Sequence, residues 1–252
     1  MFCVNRKLLI VFAMLFSSYV ETTRASDIFE ISNSPYADHT GKKDSLKAFN
    51  EALASGKDVH VPEGHWRISG GWIDMNHANQ KLICDSGKTI IFADRPNKSP
   101  TPIIVAETAA RNSSINGCIF DHKGSQFLDT GPFVPLENGQ IKGDHHTSDG
   151  IASAVLIMAD NFSFKGEVIN GWDNCIGIGR FNFVTGKQTF GPYNSIVKET
   201  RTRNCGIGKH KYSPDFHQGA GVDILTGVNA EVIDSKDYGS YDGFWVDTSG
   251  GG

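Results

Sequence analysis

The C-terminal third of the chain repeats itself. Residues 161–178 read NFSFKGEVINGWDNCIGI and residues 229–246 read NAEVIDSKDYGSYDGFWV. At a constant offset of 68, Asn161 falls on Asn229, Phe164 on Val232, Asn174 on Asp242 and Ile178 on Val246. Between them, residues 194–208 (NSIVKETRTRNCGIG) carry a shorter form of the same pattern. Each copy has a short apolar strand, a polar turn with Asn or Asp, and another short strand. A unit this small cannot bury its apolar side alone and must hide it against a neighbour, which is the logic of stacked β-coils. An ordinary antiparallel all-β domain is the alternative.

The N-terminus stands apart from this pattern. Arg6 and Lys7 precede an apolar run over residues 8–16, and Thr23-Arg24-Ala25 supplies small residues for cleavage before Ser26. Residues 1–25 are therefore expected to be a signal peptide, since the run is too short to span a bilayer. No later segment is apolar enough to span either, so a secreted or periplasmic product is expected, with no membrane span after processing. Of 24 basic and 28 acidic residues, the leader holds Arg6, Lys7, Arg24 and Glu21, so the net charge moves from −4 to −6 on its removal. Nucleic acid is a poor partner for such a chain, because phosphate recognition needs dense Lys and Arg. Cys84, Cys118, Cys175 and Cys205 remain. Cys175 and Cys205 occupy the same place in DNCIGIG and RNCGIG, which puts them on adjacent coils as a stacked apolar pair or a disulfide. There is no Cys-x-x-Cys pair for redox or zinc chemistry.

Helical periodicity occurs once, over residues 45–55, where Leu46, Phe49, Ala52 and Leu53 share a face. Asp44 or Ser45 can cap its start and Gly56 its end. A lone amphipathic helix ahead of many short strands is expected to cover the open end of a coil stack. Residues 58–68, DVHVPEGHWRI, then alternate on either side of a Pro-Glu-Gly turn. The whole stretch 37–68, ADHTGKKDSLKAFNEALASGKDVHVPEGHWRI, resembles the opening of proteins of the pectate-lyase-like (pectin-lyase-like) superfamily. In these, an acidic and Gly turn, a short helix and a Val-x-Val-Pro-x-Gly-x-aromatic-x-Ile strand pair form the first coil. Trp66 takes the aromatic place, and the usual Asp-Asp before the helix is reduced to Lys43-Asp44. The resemblance implies an all-β, single-stranded right-handed parallel β-helix with an N-terminal capping α-helix over residues 26–252. Further strands are expected at residues 81–84, 89–92, 103–106, 114–120 and 152–159. Two insertions interrupt the coils, near residues 121–149 and 181–193. The chain stops just after the apolar residues 244–246 with nothing like a second cap, so either truncation at the C-terminus, the favoured reading, or a packing surface that continues onto a partner is expected.

Residues 181–193, FNFVTGKQTFGPY, suit a hairpin with Thr185-Gly186 at its tip. Phe181, Phe183, Phe190 and Tyr193 either pack it to the coils or stack on sugar rings, and Tyr193 is the best stacking residue because its ring has a polar end. The densest polar stretch is residues 209–223, KHKYSPDFHQGAGVD, with Asp242 and Asp247 a coil later. Equal positions of neighbouring coils lie about 4.8 Å apart, so residues far apart in sequence can share one site. A β-eliminating lyase must neutralise a uronate carboxylate, take the C5 proton and protonate the leaving oxygen. His217, Asp215, Asp223 and Tyr212 are the candidate catalytic residues, and Lys209, Lys211, Tyr193 and Asp242 the candidate substrate-binding residues. A glycoside hydrolase would instead use two carboxyls, for which Asp215, Asp223 and Asp242 are available.

The superfamily holds polysaccharide lyases, galacturonan hydrolases, uronan C5-epimerases and phage tailspikes. Pro214-Asp215-Phe216-His217 is loosely similar to the Asp-Pro-His-Glu motif of mannuronan epimerases, with Asp215 and His217 retained and Gln218 in place of Glu. The paired Asp followed by Gly-His-Gly of galacturonan hydrolases is absent. The expected function is an exported lyase on a uronate-containing polysaccharide. A C5-epimerase, a glycoside hydrolase and a non-catalytic carbohydrate-binding or adhesion module are the alternatives. Many lyases of this class use calcium, which makes Asp223, Asp242 and Asp247 candidate oxygen ligands.

Overall fold

The computed structural model describes residues 28–96, 101–126, 153–181, 188–207 and 219–246. The strands expected from alternation are present at Lys81–Cys84, Thr89–Ala93, Ile104–Ala106, Ser114–Asp121 and Val155–Ile157. Among the described residues they belong to a twelve-stranded and a six-stranded sheet, with a two-stranded pair beside them. All the pairings in the two large sheets are parallel. The result is a β-helix-like stack of coils, so the parallel expectation holds and the antiparallel alternative falls.

One turn of the stack shows how the sequence makes it. Val155–Ile157 lies in the six-stranded sheet, and the chain turns a corner at Asn161 and enters the twelve-stranded sheet as Ser163–Ile169. That strand bends part-way. Its first half pairs with Ser114, Ile115 and Asn116, and its second half with Ile119, Phe120 and Asp121. The chain then crosses back to Ile176–Ile178 in the six-stranded sheet. Alternate side chains (Phe164, Val168, Ile176 and Ile178) point inward and are buried in one continuous core. Parallel pairing buries each coil against the next, which a coil cannot do alone.

The corner residues form a ladder. Asn79, Asn112, Asn161, Asn194 and Asn229 all sit at positive φ, between 52° and 59°. Asn tolerates this left-handed conformation better than other non-Gly residues. Each amide after the first donates to the one before it, at 3.2, 3.0, 3.2 and 3.4 Å. The 68-residue offset is therefore two coils. On the twelve-stranded sheet Phe164 pairs with Val197 and Val197 with Val232. On the six-stranded sheet Ile178 pairs with Ile224 and Ile224 with Val246. The two routes divide the 68 residues differently because insertions fall on different sides.

The helix forms over Leu46–Ala54. Asp44 Oδ1 accepts the Leu46 amide at 3.1 Å, while the Ser45 hydroxyl turns away to Asp38. Gly56, at φ 70°, follows its end. Phe49 meets the ring of Trp66 edge-on at 5.8 Å. Asn50 Oδ1 accepts the Asp74 amide at 2.9 Å and its Nδ2 donates to the Trp72 carbonyl at 3.4 Å. Ile73–Met75 is the outermost strand of the six-stranded sheet, so the helix covers that end and satisfies part of its edge. At the other end Asp242–Val246 is outermost. There Phe244, Trp245 and Val246 are exposed beside a cavity of about 360 Å³ that reaches Val222, Ile224 and Val232.

Cys175 and Cys205 lie on adjacent coils and form a disulfide, and Cys84 pairs with Cys118. Among the described residues no helix is long and apolar enough to cross a membrane.

Candidate functional site

The six-stranded sheet is apolar on both faces at its centre. Ile104, Val155, Ile176 and Val222 point into the main core. The residues between them point outward, and strand register aligns them in one row: Asp74, Val105, Leu156, Gly177, Asp223 and Trp245. Val105 and Leu156 join Met158, Leu225 and Trp72 in a second buried cluster on this outer face. A sheet buried on both sides loses the strict apolar–polar alternation of a half-exposed one.

Asp223 is the carboxylate on this face one strand in from the outermost Asp242–Val246 strand. It is buried, and Asn174 Nδ2 donates to its Oδ2 at 2.8 Å. Asn174 Oδ1 accepts the Ala220 amide at 2.8 Å, and its main-chain oxygen accepts the Ala154 amide at 3.1 Å. One side chain thus fixes the start of the Ala220–Ile224 strand and the direction of the Asp223 carboxylate. Gly177, the register neighbour of Asp223, presents no side chain over it.

The described residues that flank residues 208–218 come together at Gly206 and Gly219. A Cβ on Gly219 would lie 2.4 Å from Gly206 Cα and 2.5 Å from the Asp173 carbonyl oxygen, so only glycine lets the two ends meet there. The Cys175–Cys205 disulfide sits at the same point, one residue from Asn174 and one from Gly206. Ser153 follows residues 127–152, and its neighbour Ala154 bonds to Asn174. Residues just after both stretches, Ala154 and Ala220, therefore bond to Asn174 beside Asp223. His122 is fully buried. Its Nε2 donates to the Thr101 carbonyl at 3.0 Å and its Nδ1 accepts the Trp172 amide at 3.2 Å. Burial pushes its pKa down to about 3, so it is a neutral strut.

Lys209, Lys211, Tyr212, Asp215 and His217 lie outside the described residues, as do Phe183, Asp247 and the hairpin tip. Asp242 lies opposite Ala220 on the strand next to Asp223, three residues short of the Asp223–Trp245 rung. Tyr193 sits at the far edge of the face. Its amide donates to Asp160 Oδ1 at 2.7 Å, the same oxygen that takes Arg180 Nη2 at 2.6 Å. The Arg180 guanidinium lies 5.7 Å from the Tyr193 ring centre. Arg180–Phe181 pairs antiparallel with Gln188–Thr189, as a hairpin requires. Phe190 is 56% exposed and Tyr193 42%, so both rings are open to a ligand.

Two further carboxyls belong to this face. Asp74 stands at the capped end of the outward row, and Glu107 follows the next strand. Burial raises both pKa values, and the nearby Asp74 charge adds to the rise at Glu107. The signal was a charged residue inside the strand triplet Ile73-Asp74-Met75, whose neighbours are both buried. Among the described residues no group of three or more His, Cys, Asp or Glu side chains converges as a metal site would require.

No family model matches the sequence, and no curated protein matches it. Solved structures do share the fold. The A-module of the mannuronan C-5 epimerase AlgE6 from Azotobacter vinelandii is 12% identical with a TM-score of 0.52, over 84% of this chain and 56% of that one. The family 28 exopolygalacturonase of Yersinia enterocolitica is 14% identical with a TM-score of 0.52, over 84% and 43%. The pre-mature gene product 12 of bacteriophage phi29 is 18% identical with a TM-score of 0.53, over 85% and 30%. The chain thus spans about half or less of their lengths. At these identities the likeness establishes a distantly shared β-helix-like fold, and function has to be argued from the site.

Proposed function

We propose that the chain is an exported protein that acts on a uronate-containing polysaccharide along the outer face of its six-stranded sheet, by β-elimination. The observation that carries this is the fixed Asn174–Asp223 pair on that face, one strand in from its open end. The described residues that flank the stretch bearing Lys209, Lys211, Tyr212, Asp215 and His217, Gly206 and Gly219, lie beside that pair, which supports placing the stretch there. In this reading Lys209 and Lys211 neutralise the substrate carboxylate, which acidifies the C5 proton. His217, oriented by Asp215, removes that proton, and Tyr212 protonates the departing glycosidic oxygen. Asp223 supplies a fixed acceptor for a sugar hydroxyl, and Phe190 and Tyr193 offer aromatic faces to the next ring. Two disulfides between coils fit an oxidising, extracytoplasmic compartment. The proposal includes closure of the coils as a single right-handed β-helix, the form in which such a face becomes a straight groove.

The same proton abstraction followed by return from the opposite face would be epimerisation, and the shared fold with a C-5 epimerase module keeps that reading in view. Incubation with a panel of uronans separates the outcomes. A rise in ultraviolet absorbance from an unsaturated uronate end supports the lyase. Altered sugar configuration at constant chain length supports the epimerase. Neither change with any uronan, together with retained binding, leaves a carbohydrate-binding module and removes the enzymatic reading.

A further inference from the structure

The twelve-stranded sheet bends along a line well away from the face just described, and the bend is hollow. A trough of about 260 Å³ runs across four coils there, with Gly117 and Gly166 in its floor and Lys165, Glu167, Glu199 and Arg201 on its walls. The floor must be bare backbone. A Cβ on Gly117 would lie 2.6 Å from the Cys84 carbonyl oxygen, and one on Gly166 would lie 2.5 Å from that of Cys118. The register slips between Lys165 and Glu167, which deepens the bend. The Cys84–Cys118 disulfide braces two successive coils at this point, so the trough is rigid before any ligand arrives.

Its lining is charge-balanced although the chain is net −4: Lys165 and Arg201 face Glu167 and Glu199, with Arg203 beside Glu167 and Lys198 beside Glu199. Both carboxylates are already taken: Lys165 pairs with Glu199, and Arg203 Nη2 lies 2.7 Å from Glu167 Oε1. Arg201 lies between Glu167 and Lys236 in the strand register, is exposed, and makes no ion pair among the described residues. A ligand suited to this trough carries one anionic group for Arg201, hydroxyls to donate to Glu167 and Glu199, and a ring with a C–H face to lie on the glycine floor. We infer that the trough is a second carbohydrate site, which holds one acidic sugar residue of a polymer chain. Its volume, below the roughly 300–1,000 Å³ of drug-sized pockets, suits a single ring. It takes its ligand class from the proposed function but shares no residue with that site.

Titration of isotope-labelled protein with short oligogalacturonate and oligomannuronate tests this, with a neutral cello-oligosaccharide and sodium sulfate as comparisons. The Gly117 and Gly166 amide resonances should move with an acidic oligosaccharide and stay with the neutral one. Arg201→Ala, at an exposed position, should keep its spectrum and weaken binding at the trough roughly tenfold or more, the usual loss for a charge-assisted hydrogen bond. Equal response to sulfate would reduce the trough to a simple anion patch and overturn the proposal, as would undiminished affinity in Arg201→Ala. Movement confined to the Gly177 and Gly179 amides would also overturn it, while leaving the six-stranded face as the sugar site. If Gly117 and Gly166 respond but no uronan is altered, the trough stands and the catalytic reading fails.

Discussion

The Asn174 amide holds Asp223 at 2.8 Å from a position 49 residues earlier in the chain. Because its oxygen simultaneously accepts the Ala220 amide, the carboxamide cannot flip without losing both bonds. Local sequence could not have produced this orientation, since it exists only when consecutive strands of the six-stranded sheet stack.

Replacing either partner should separate stability from function. Asn174→Ala removes two buried hydrogen bonds, one of them to a carboxylate, and should cost roughly 2–4 kcal/mol. For a chain of this size that lowers Tm by about 5–15 °C. Asp223→Asn keeps the shape and should cost much less stability, yet it should lower turnover on a uronan if Asp223 contacts substrate. Equal melting temperatures for the two variants would show that Asn174 does not anchor this strand.

The end of the stack near the helix should be pH-sensitive. His60 Nδ1 lies 2.7 Å from Glu30 Oε2 and its Nε2 lies 3.1 Å from Asp85 Oδ1, so one ring joins three successive coils. The Glu30 carboxylate, helped by Asp85, raises the His60 pKa, and the Glu63 amide with His60 lowers that of Asp85. The folded chain thus holds the His60 proton more tightly than the unfolded chain does. That contribution is complete below about pH 6.5, the unfolded value, and is lost as pH rises through the folded value. The Asp85 contribution has the opposite sense: it is present above the unfolded carboxylate value and lost as pH falls through the folded one. His60 is partly exposed, so its share is at most about 1 kcal/mol. The difference in Tm between wild type and His60→Gln should therefore be larger at mildly acidic pH than above pH 8. A constant difference would mean the ring does not titrate across this range.

The asparagine ladder gives a graded test. Asn161 sits at φ 52° and bonds to both Asn112 and Asn194. Asn161→Gly keeps the backbone relaxed but loses the amide bonds, whereas Asn161→Ala loses them and adds about 1–2 kcal/mol of left-handed strain. Stability should fall in the order Asn, Gly, Ala by denaturant unfolding. A glycine variant less stable than the alanine variant would contradict the corner geometry.

Much of this fold was legible because coil stacking writes itself into spacing. The match of Asn161 with Asn229 and of Phe164 with Val232 is a true register two coils apart. The helix followed from a 3.6-residue period and the strands from alternation. The length of one coil was not legible, because insertions hide it: Ile178 and Ile224 are neighbours across the sheet although 46 residues separate them. The Asn79 and Asn112 rungs were missed for the same reason. On this face, Asp223 was legible because it ends a polar run, while Asp74, between Ile73 and Met75, and Glu107, just after an apolar strand, each stand alone in the sequence. Their shared face exists only through strand register. Phe190, whose position between hairpin packing and sugar stacking stayed open, proved exposed.

The two disulfides provide the sharpest comparison. Cys84–Cys118 closes 34 residues and Cys175–Cys205 closes 30. Chain-entropy reasoning gives each roughly 3.5–4 kcal/mol, so removing either pair should lower stability by similar amounts. Their positions differ in consequence. Cys175–Cys205 ties the Asn174 turn to Gly206, close to Gly219 on the far side of residues 208–218, whereas Cys84–Cys118 braces the bend on the other sheet. Replacing Cys175 and Cys205 by Ala should therefore depress activity on a uronan well beyond the loss in the Cys84/Cys118 double variant, when both are assayed well below their melting temperatures. Equal losses of activity would mean that the base of the 208–218 segment does not position the chemistry, and that the search for the catalytic groups should move along the outward row toward Asp74 and Glu107.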